Sequence, residues 1–541
     1  MLALWAHDAT ERGGLPAQRP RGEQDRRSTS DLGRHVIADA LRPVDVAGAG
    51  RVLTESDWRH AYPKHFRHVL QAGLGAPADA LAIASAGLAS LHRRMQWADP
   101  SRRDAGEGRE RPLVGRPLRA LHPYGQVVVA GRGQPERTVS LPYRGGRLEG
   151  DELRRRLADW VARGVMEPDA EQAVRRVMDH PEWLGLPGRT AVVLGAGAEM
   201  GPLRSLLRWG ADVAAVDLPR PALWRRLLCD ARERAGRLIV PVPLAEPGSE
   251  PGPEHGSEPG SELAAGPGAR RGVAADVEGL PLEDLAQRAG LDLLHDLPSV
   301  AAWIADLSGD LVLGNYVYAD GALNVRVCTA VDDLTYRLLQ RGGRDIALAF
   351  LATPTDVFAV PDEAVAAARA AYAERDGGGL LGQAMRRASG GRLLLPHYDR
   401  TVDPGAGLPS INDSIVLQQG PNYLLAKRIQ RWRALEARSQ GHLVSFGVAP
   451  PTRTRSVLSN RGLAAAYAGA HRFGVEVFES ATSNTLMAIL LVHDLYAGGP
   501  APATPWEAEA RHAVHGGLWR CPYTPRSALG LAAGFGILSR H

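Results

Sequence analysis

Residues 190–217 most constrain what this chain can fold into. Thr190 to Leu194 (TAVVL) is a short, β-branched, apolar run of the kind that forms a buried strand. It leads into Gly195-Ala196-Gly197-Ala198-Glu199-Met200-Gly201, then PLRSLLRWG, then a second apolar run, Asp212 to Val216, ending at Asp217. A strand that turns at once into a helix and returns as another strand is a βαβ unit, and such units build parallel sheets. Small residues let the backbone turn tightly and approach a pyrophosphate, which sits on free N–H groups and the positive end of the following helix. An acid about 20 residues further on can accept hydrogen bonds from a ribose diol, and Asp217 stands 20 residues after Gly197. A tight turn without a ligand, and an Asp that only caps its strand, are the plainer readings of the same residues.

The strand–turn–helix rhythm continues from Gly188 to about Leu495. The expected class is therefore α/β, with a doubly wound parallel sheet over 186–495. Residues 36–185 mix helical periodicity, at 78–95 and 151–166, with a strand-like run at Gln126 to Ala130, and are expected to form an accessory α/β or mostly helical domain. Residues 1–35 and 245–270 are polar and poor in apolar side chains, so a disordered tail and a disordered insertion are expected. In the tail at 496–541, the apolar stretch Ala528 to Leu538 is expected to dock on a neighbour.

Composition narrows the function. The formal net charge is only +4, from 64 Lys or Arg against 60 Asp or Glu, which gives no support to a nucleic-acid or membrane-surface partner. The three cysteines, Cys229, Cys328 and Cys521, are far apart and include no CxxC, so neither a disulfide framework nor a cysteine metal site is expected. No secretory leader is evident, and the strongest apolar stretch, Leu486 to Val492, is far short of the ~20 residues that span a bilayer. A cytoplasmic protein acting on a small molecule is expected.

Only two of the 64 basic residues are lysines, Lys64 and Lys427. Arginine replaces lysine cheaply where only charge matters, so a surviving lysine stands out. Lys427 lies four residues after Tyr423 in a helical segment beginning near Asn422, which puts both on one helix face. A neighbouring ammonium favours the phenolate and brings a phenol, normally ionising near pH ~10, within reach of acid–base work. A chance surface pair is the alternative.

The segment Ser410-Ile-Asn-Asp-Ser414 through Tyr423 and Lys427, followed by a helix and then HLVSFGVAPPTRT at 442–454, resembles the core of short-chain dehydrogenases/reductases. That family carries a serine about a dozen residues before a YxxxK pair. Gly195 to Gly201 resembles its glycine turn, with Leu194 and Glu199 as departures; LVLGN, ending at Asn315, resembles the cofactor-lining strand, and Asn324 the catalytic asparagine. The resemblance implies a Rossmann-like sheet and a possible homo-oligomer. It implies Tyr423, Lys427, Ser410 or Ser414, and Asn324 as catalytic residues, and Gly195, Gly197, Met200, Gly201, Asp217, Asn315 and Lys427 as cofactor-binding ones. Hydride would pass between a nicotinamide and a carbonyl or alcohol, with Lys427 lowering the Tyr423 pKa. Asp217 favours NAD, and Arg220 keeps NADP open. The rivals are an S-adenosylmethionine-dependent methyltransferase, which uses a similar glycine turn and acid but leaves the Tyr–Lys pair without a role, and a Rossmann-type binding module that has lost catalysis.

Other candidates read more plainly. His397 with Asp399, and His493 with Asp494, read as loop or cap residues, and no metal site is expected. Arg431, Arg433 and Arg438 read as a solvated face, and Trp303 and Trp432 as core.

Overall fold

The computed structural model describes residues 28–97, 111–112, 123–244, 281–375, 379–398, 408–499 and 502–538. Its centre is a seven-stranded sheet made of β1 (Tyr124–Ala130), β2 (Arg189–Leu194), β3 (Asp212–Val216), β4 (Arg237–Pro243), β5 (Asp310–Asn315), β6 (Ile346–Ala352) and β7 (Val444–Val448). The order across the sheet is β7-β6-β5-β2-β3-β4-β1, and all neighbours are parallel except the edge pair β1 and β4. The chain therefore builds outward from β2 through β3 to β4, then crosses back to lay β5 on the other side of β2. This is an α/β architecture with a mostly parallel central sheet.

The parallel strands are near-continuous apolar runs because both faces are covered. Along β2, Ala191 and Val193 point into one core while Val192 and Leu194 point into the other, and β3 and β6 divide in the same way. The principal helices are α1 (Thr29–Leu41), α2 (Val46–Leu53), α3 (Trp58–Gly73), α4 (Pro77–Arg94), α5 (Gly150–Ala162), α6 (Pro168–Asp179), α7 (Leu203–Trp209), α8 (Pro221–Glu233), α9 (Ala322–Arg341), α10 (Pro421–Ser439), α11 (Arg461–Gly469), α12 (Ser480–Tyr496) and α13 (Pro525–Leu538). Helices α1, α3, α4, α9 and α10 share one core; α5 to α8 and α12 share the other. Trp303 and Trp432 are buried as expected, at 1% and 4% exposure.

Several expectations change. The expected boundary at 185/186 does not separate two cores: β1 from the first part pairs along its length with β4, and α1 to α4 close over the same apolar cluster as α9 and α10. Residues 29–35 are helical rather than part of a disordered tail. Ser28 caps α1 by accepting the Asp31 N–H at 3.2 Å, and Leu32, Val36 and Ile37 are buried. Residues 1–27 and the expected insertion at 245–270 lie outside the described residues. The arginines of α10 are not a solvated face. Arg431 bonds Asp356 at 2.9 Å and is paired with Glu509, Arg433 bonds Asp332 at 2.7 Å, and both arginines are almost fully buried. Arg438 is partly buried and donates to the Val444 carbonyl. Buried guanidinium groups persist where each finds a carboxylate. Helix α13 packs on α11, so the apolar C-terminal stretch docks as expected. Among the described residues no helix is long and apolar enough to cross a membrane.

Candidate functional site

A cavity of about 1420 Å³ opens at the carboxyl ends of the parallel strands, where β2 and β5 lie side by side and the chain reverses its direction of sheet building. It exceeds the ~300–1,000 Å³ of a pocket for one small molecule, so it has room for two. Open parallel sheets take their ligands at such a switch point.

One wall is the glycine turn. Gly195 follows β2 with φ +80°, a left-handed conformation, and a Cβ there would lie 3.0 Å from the backbone of Tyr316 and Val317. At Gly197 a Cβ would lie 2.4 Å from Leu223 Cδ1. Glycine is required at both. Gly197 N–H and Leu218 N–H each donate to an Asp217 carboxylate oxygen at 2.8 Å. Burial pushes the Asp217 carboxyl upward, against these two bonds and the nearby Arg220 and Arg226. Gly195, Gly197, Met200 and Asp217 line the cavity, whereas Gly201 is not among its lining residues. Glu199 does not present a bare charge: Arg455 donates to it from Nε at 2.9 Å and from its backbone N–H at 2.8 Å. Asn315, opposite Leu194 in the sheet register, lines the cavity and accepts the Val317 N–H at 3.4 Å.

The other wall is built by β6, α9 and α10. Tyr423 and Lys427 lie one turn apart in the first half of α10, and both line the cavity. The Lys427 ammonium donates to the Leu351 carbonyl at 2.8 Å and to Gln430 Oε1 at 3.3 Å. Burial lowers the Lys427 pKa, partly offset by Cys328 and Asp356. The Tyr423 phenol moves opposite to the expectation. Burial pushes its pKa up, and the group opposing that shift is the Thr353 hydroxyl, within hydrogen-bond reach, rather than Lys427. The difference is one of desolvation: a phenol removed from water favours its neutral form. Tyr318 stacks edge-on to Tyr423 with centroids 6.4 Å apart.

Neither candidate serine lines the cavity. Ser410 begins a strand, Ser410–Asp413, that pairs antiparallel with Val357–Val360, Val360 opposite Ser410. Ser414 is fully buried and exchanges hydrogen bonds with the Asn412 side chain at 2.8 and 3.0 Å. The 13-residue spacing from Ser410 to Tyr423 is thus the return arm of a hairpin-bounded insertion. The hydroxyl that does reach Tyr423 belongs to Thr353, immediately after β6 and bonded to Thr355 Oγ1 at 2.8 Å. Sequence reasoning missed it, although a hydroxyl directly after the apolar run IALAFLA was a usable signal. Asn324 lines the cavity in the first turn of α9; its Oδ1 accepts the Ala319 N–H at 3.2 Å. One turn on, Cys328 also lines the cavity, and burial pushes its thiol up to about 11.

Beyond Tyr423 the cavity becomes apolar, walled by Leu463, Tyr467, Phe473, Leu518 and Leu529. His397 packs against Cys521, with Nδ1 at 3.4 Å from Sγ, and burial pushes its imidazole down to about 4; Asp399 lies outside the described residues. Comparison with family models, curated proteins and solved structures finds no match to this chain.

Proposed function

We propose that the chain is an NAD(P)-dependent oxidoreductase of short-chain dehydrogenase/reductase type, built on a Rossmann-like doubly wound sheet, that interconverts a carbonyl and an alcohol. The observation that carries this reading is the shared cavity. It joins Gly195, Gly197, Asp217 and Asn315 on one wall to Thr353, Tyr423 and Lys427 on the other. Numbered along the chain from β2, the parallel strands lie in the order 3-2-1-4-5-6, which is the order of dinucleotide-binding sheets.

The residues fit a dinucleotide, because a Cβ at Gly195 or Gly197 would fill the cradle that close backbone approach requires. Gly195, Gly197, Met200, Asp217, Asn315 and Lys427 would hold it. Asp217 favours NAD, while Arg220 and Arg226 beside it favour NADP. When bound, the nicotinamide supplies or takes the hydride at the reacting carbon. Tyr423, kept protonated by burial, donates its proton to the carbonyl oxygen, so the site is set for reduction. Thr353 takes the role that the family resemblance gives to a serine and hydrogen-bonds the reacting oxygen. Lys427, braced on the Leu351 carbonyl, orients the cofactor side of the pair.

The test is fluorescence titration with NADH and NADPH, thermal shift against both nucleotides and S-adenosylmethionine, and turnover of a panel of aldehydes and ketones. Binding of one nicotinamide nucleotide with reduction lost in Tyr423→Phe is expected. Stabilisation by S-adenosylmethionine alone, or by no nucleotide, overturns the reading. A binding module without turnover is the second reading. It is favoured by the absence of Ser410 and Ser414 from the cavity, and nucleotide binding with no reduction of any carbonyl would select it.

A further inference from the structure

At the other end of the sheet from the cavity, three side chains able to ligate a metal converge from separate segments. His493 and Asp494 lie in the last turn of α12, and His512 follows the helix Pro505–Ala510. His512 Nδ1 is 3.0 Å from Asp494 Oδ1, and His493 Nδ1 is 3.4 Å from the same oxygen. One ligand atom from each residue lies within 4.8 Å of the other two, and the imidazole rings meet edge-on with centroids 4.7 Å apart. A tetrahedral ion bound at about 2.0–2.1 Å to each ligand sets its ligand atoms roughly 3.3–3.4 Å apart, so small adjustments suffice to close a coordination sphere.

The surroundings are arranged around these three. Ser445, near the start of β7, donates to Asp494 Oδ2 at 2.6 Å, which orients the carboxylate and leaves Oδ1 facing the imidazoles. His512 has φ +58°, a left-handed conformation that a non-glycine residue adopts only where its surroundings impose it. Its N–H is tied to Asp169 on α6 at 3.2 Å. The carboxyl end of a helix carries partial negative charge, so a carboxylate in the last turn of α12 calls for a positive partner. The guanidinium of Arg438 is the charged group packed nearest from α10, and it is committed to the Val444 carbonyl at 3.2 Å.

We infer that His493, Asp494 and His512 form a zinc site, with two imidazole nitrogens, one carboxylate oxygen and a fourth position for water. The ligand set selects the ion: imidazole suits zinc, whereas calcium and magnesium prefer all-oxygen shells. The ion would pin the segment around His512 to α12 and to the start of β7. A few residues later the same segment supplies Leu518, Cys521 and Tyr523 to the apolar wall of the cavity. Metal occupancy would therefore stiffen that wall without touching the Tyr423–Lys427 pair. This site stands independently of the proposed activity.

The test uses the tag-free full chain, stripped with chelator, incubated with zinc sulfate, desalted and assayed by mass spectrometry for metal. About one zinc per chain is expected, together with the visible absorption of a tetrahedral centre when cobalt(II) replaces zinc. His512→Gly is the informative variant, because glycine adopts the left-handed backbone freely and removes only the ligand. His493→Gln removes a second ligand while keeping a polar side chain. Loss of zinc and of the cobalt spectrum in both variants, with unchanged far-ultraviolet circular dichroism, supports the site. Wild-type chain that retains no zinc overturns it and leaves a hydrogen-bonded His–Asp–His trio. Zinc retained equally by both variants also overturns it, because the ion then binds elsewhere.

Discussion

The two walls of the cavity are built in contrasting ways. The glycine-turn wall is local: β2, the turn from Gly195 to Gly201, β3 and Asp217 are contiguous within 28 residues, and backbone groups make its geometry. The Tyr423 wall is assembled at long range. Thr353 and Tyr423 are 70 residues apart, with a hairpin-bounded insertion between them, and Lys427 reaches back to the end of β6. The local wall resists change because its conformation is covalently short. The assembled wall allows its chemistry to be altered one side chain at a time.

Substitutions should separate the walls accordingly. Tyr423→Phe is expected to cut carbonyl reduction by about 10²–10⁴-fold while leaving nucleotide affinity unchanged, as measured by initial rates and fluorescence titration. Unaltered turnover would remove the proton-donor role. Thr353→Val is expected to cost on the order of 10²-fold in kcat, the scale of losing one hydrogen-bond donor to a reacting oxygen, and Thr353→Ser should restore most of it. Gly195→Ala acts on the other wall. Its φ of +80° and the 3.0 Å approach to Tyr316 predict a loss of about 1–3 kcal/mol in denaturant unfolding, with nucleotide binding weakened in parallel. A variant as stable as the parent and binding nucleotide normally would break the contrast.

The pH dependence sharpens it further. Because burial raises the Tyr423 pKa above the ordinary phenol value near ~10, the proton-donating form persists through neutral pH. Reduction should therefore hold level until pH rises beyond that value, and only then fall. A decline centred near neutrality would mean a depressed phenol and a dominant Lys427. The smallest effect is predicted for Ser410→Ala, with turnover unchanged and stability altered by no more than ~0.5 kcal/mol, since Ser410 lies outside the cavity.

Legibility followed the same division. The glycine turn, Asp217 and the strand ending at Asn315 are readable because each depends on neighbours a few residues away. Tyr423 and Lys427 were readable for another reason: arginine has replaced nearly every other lysine, so the pair stood out at a helical spacing. The second lysine, Lys64, is an exposed partner of Glu55 at 2.6 Å, which shows that rarity alone does not mark a site. Thr353 was hidden because the insertion breaks the usual spacing and places Ser410 there instead. The arginines of α10 were misread because charge on a helix face looks solvated until Asp356, Glu509 and Asp332 are brought against it from other elements. The edge pairing of β1 with β4 spans more than 100 residues, so the first part of the chain looked like a separate domain.

By itself, the sequence determined the α/β class, the first βαβ unit and the helix carrying Tyr423 and Lys427, because periodicity and turn chemistry act between near neighbours. Tertiary structure alone decided that one cavity joins those elements, that Thr353 rather than a serine meets the phenol, and that His512 joins His493 and Asp494. Those meetings depend on which distant apolar faces close over the sheet, and burial then sets the protonation of whatever side chains are caught between them.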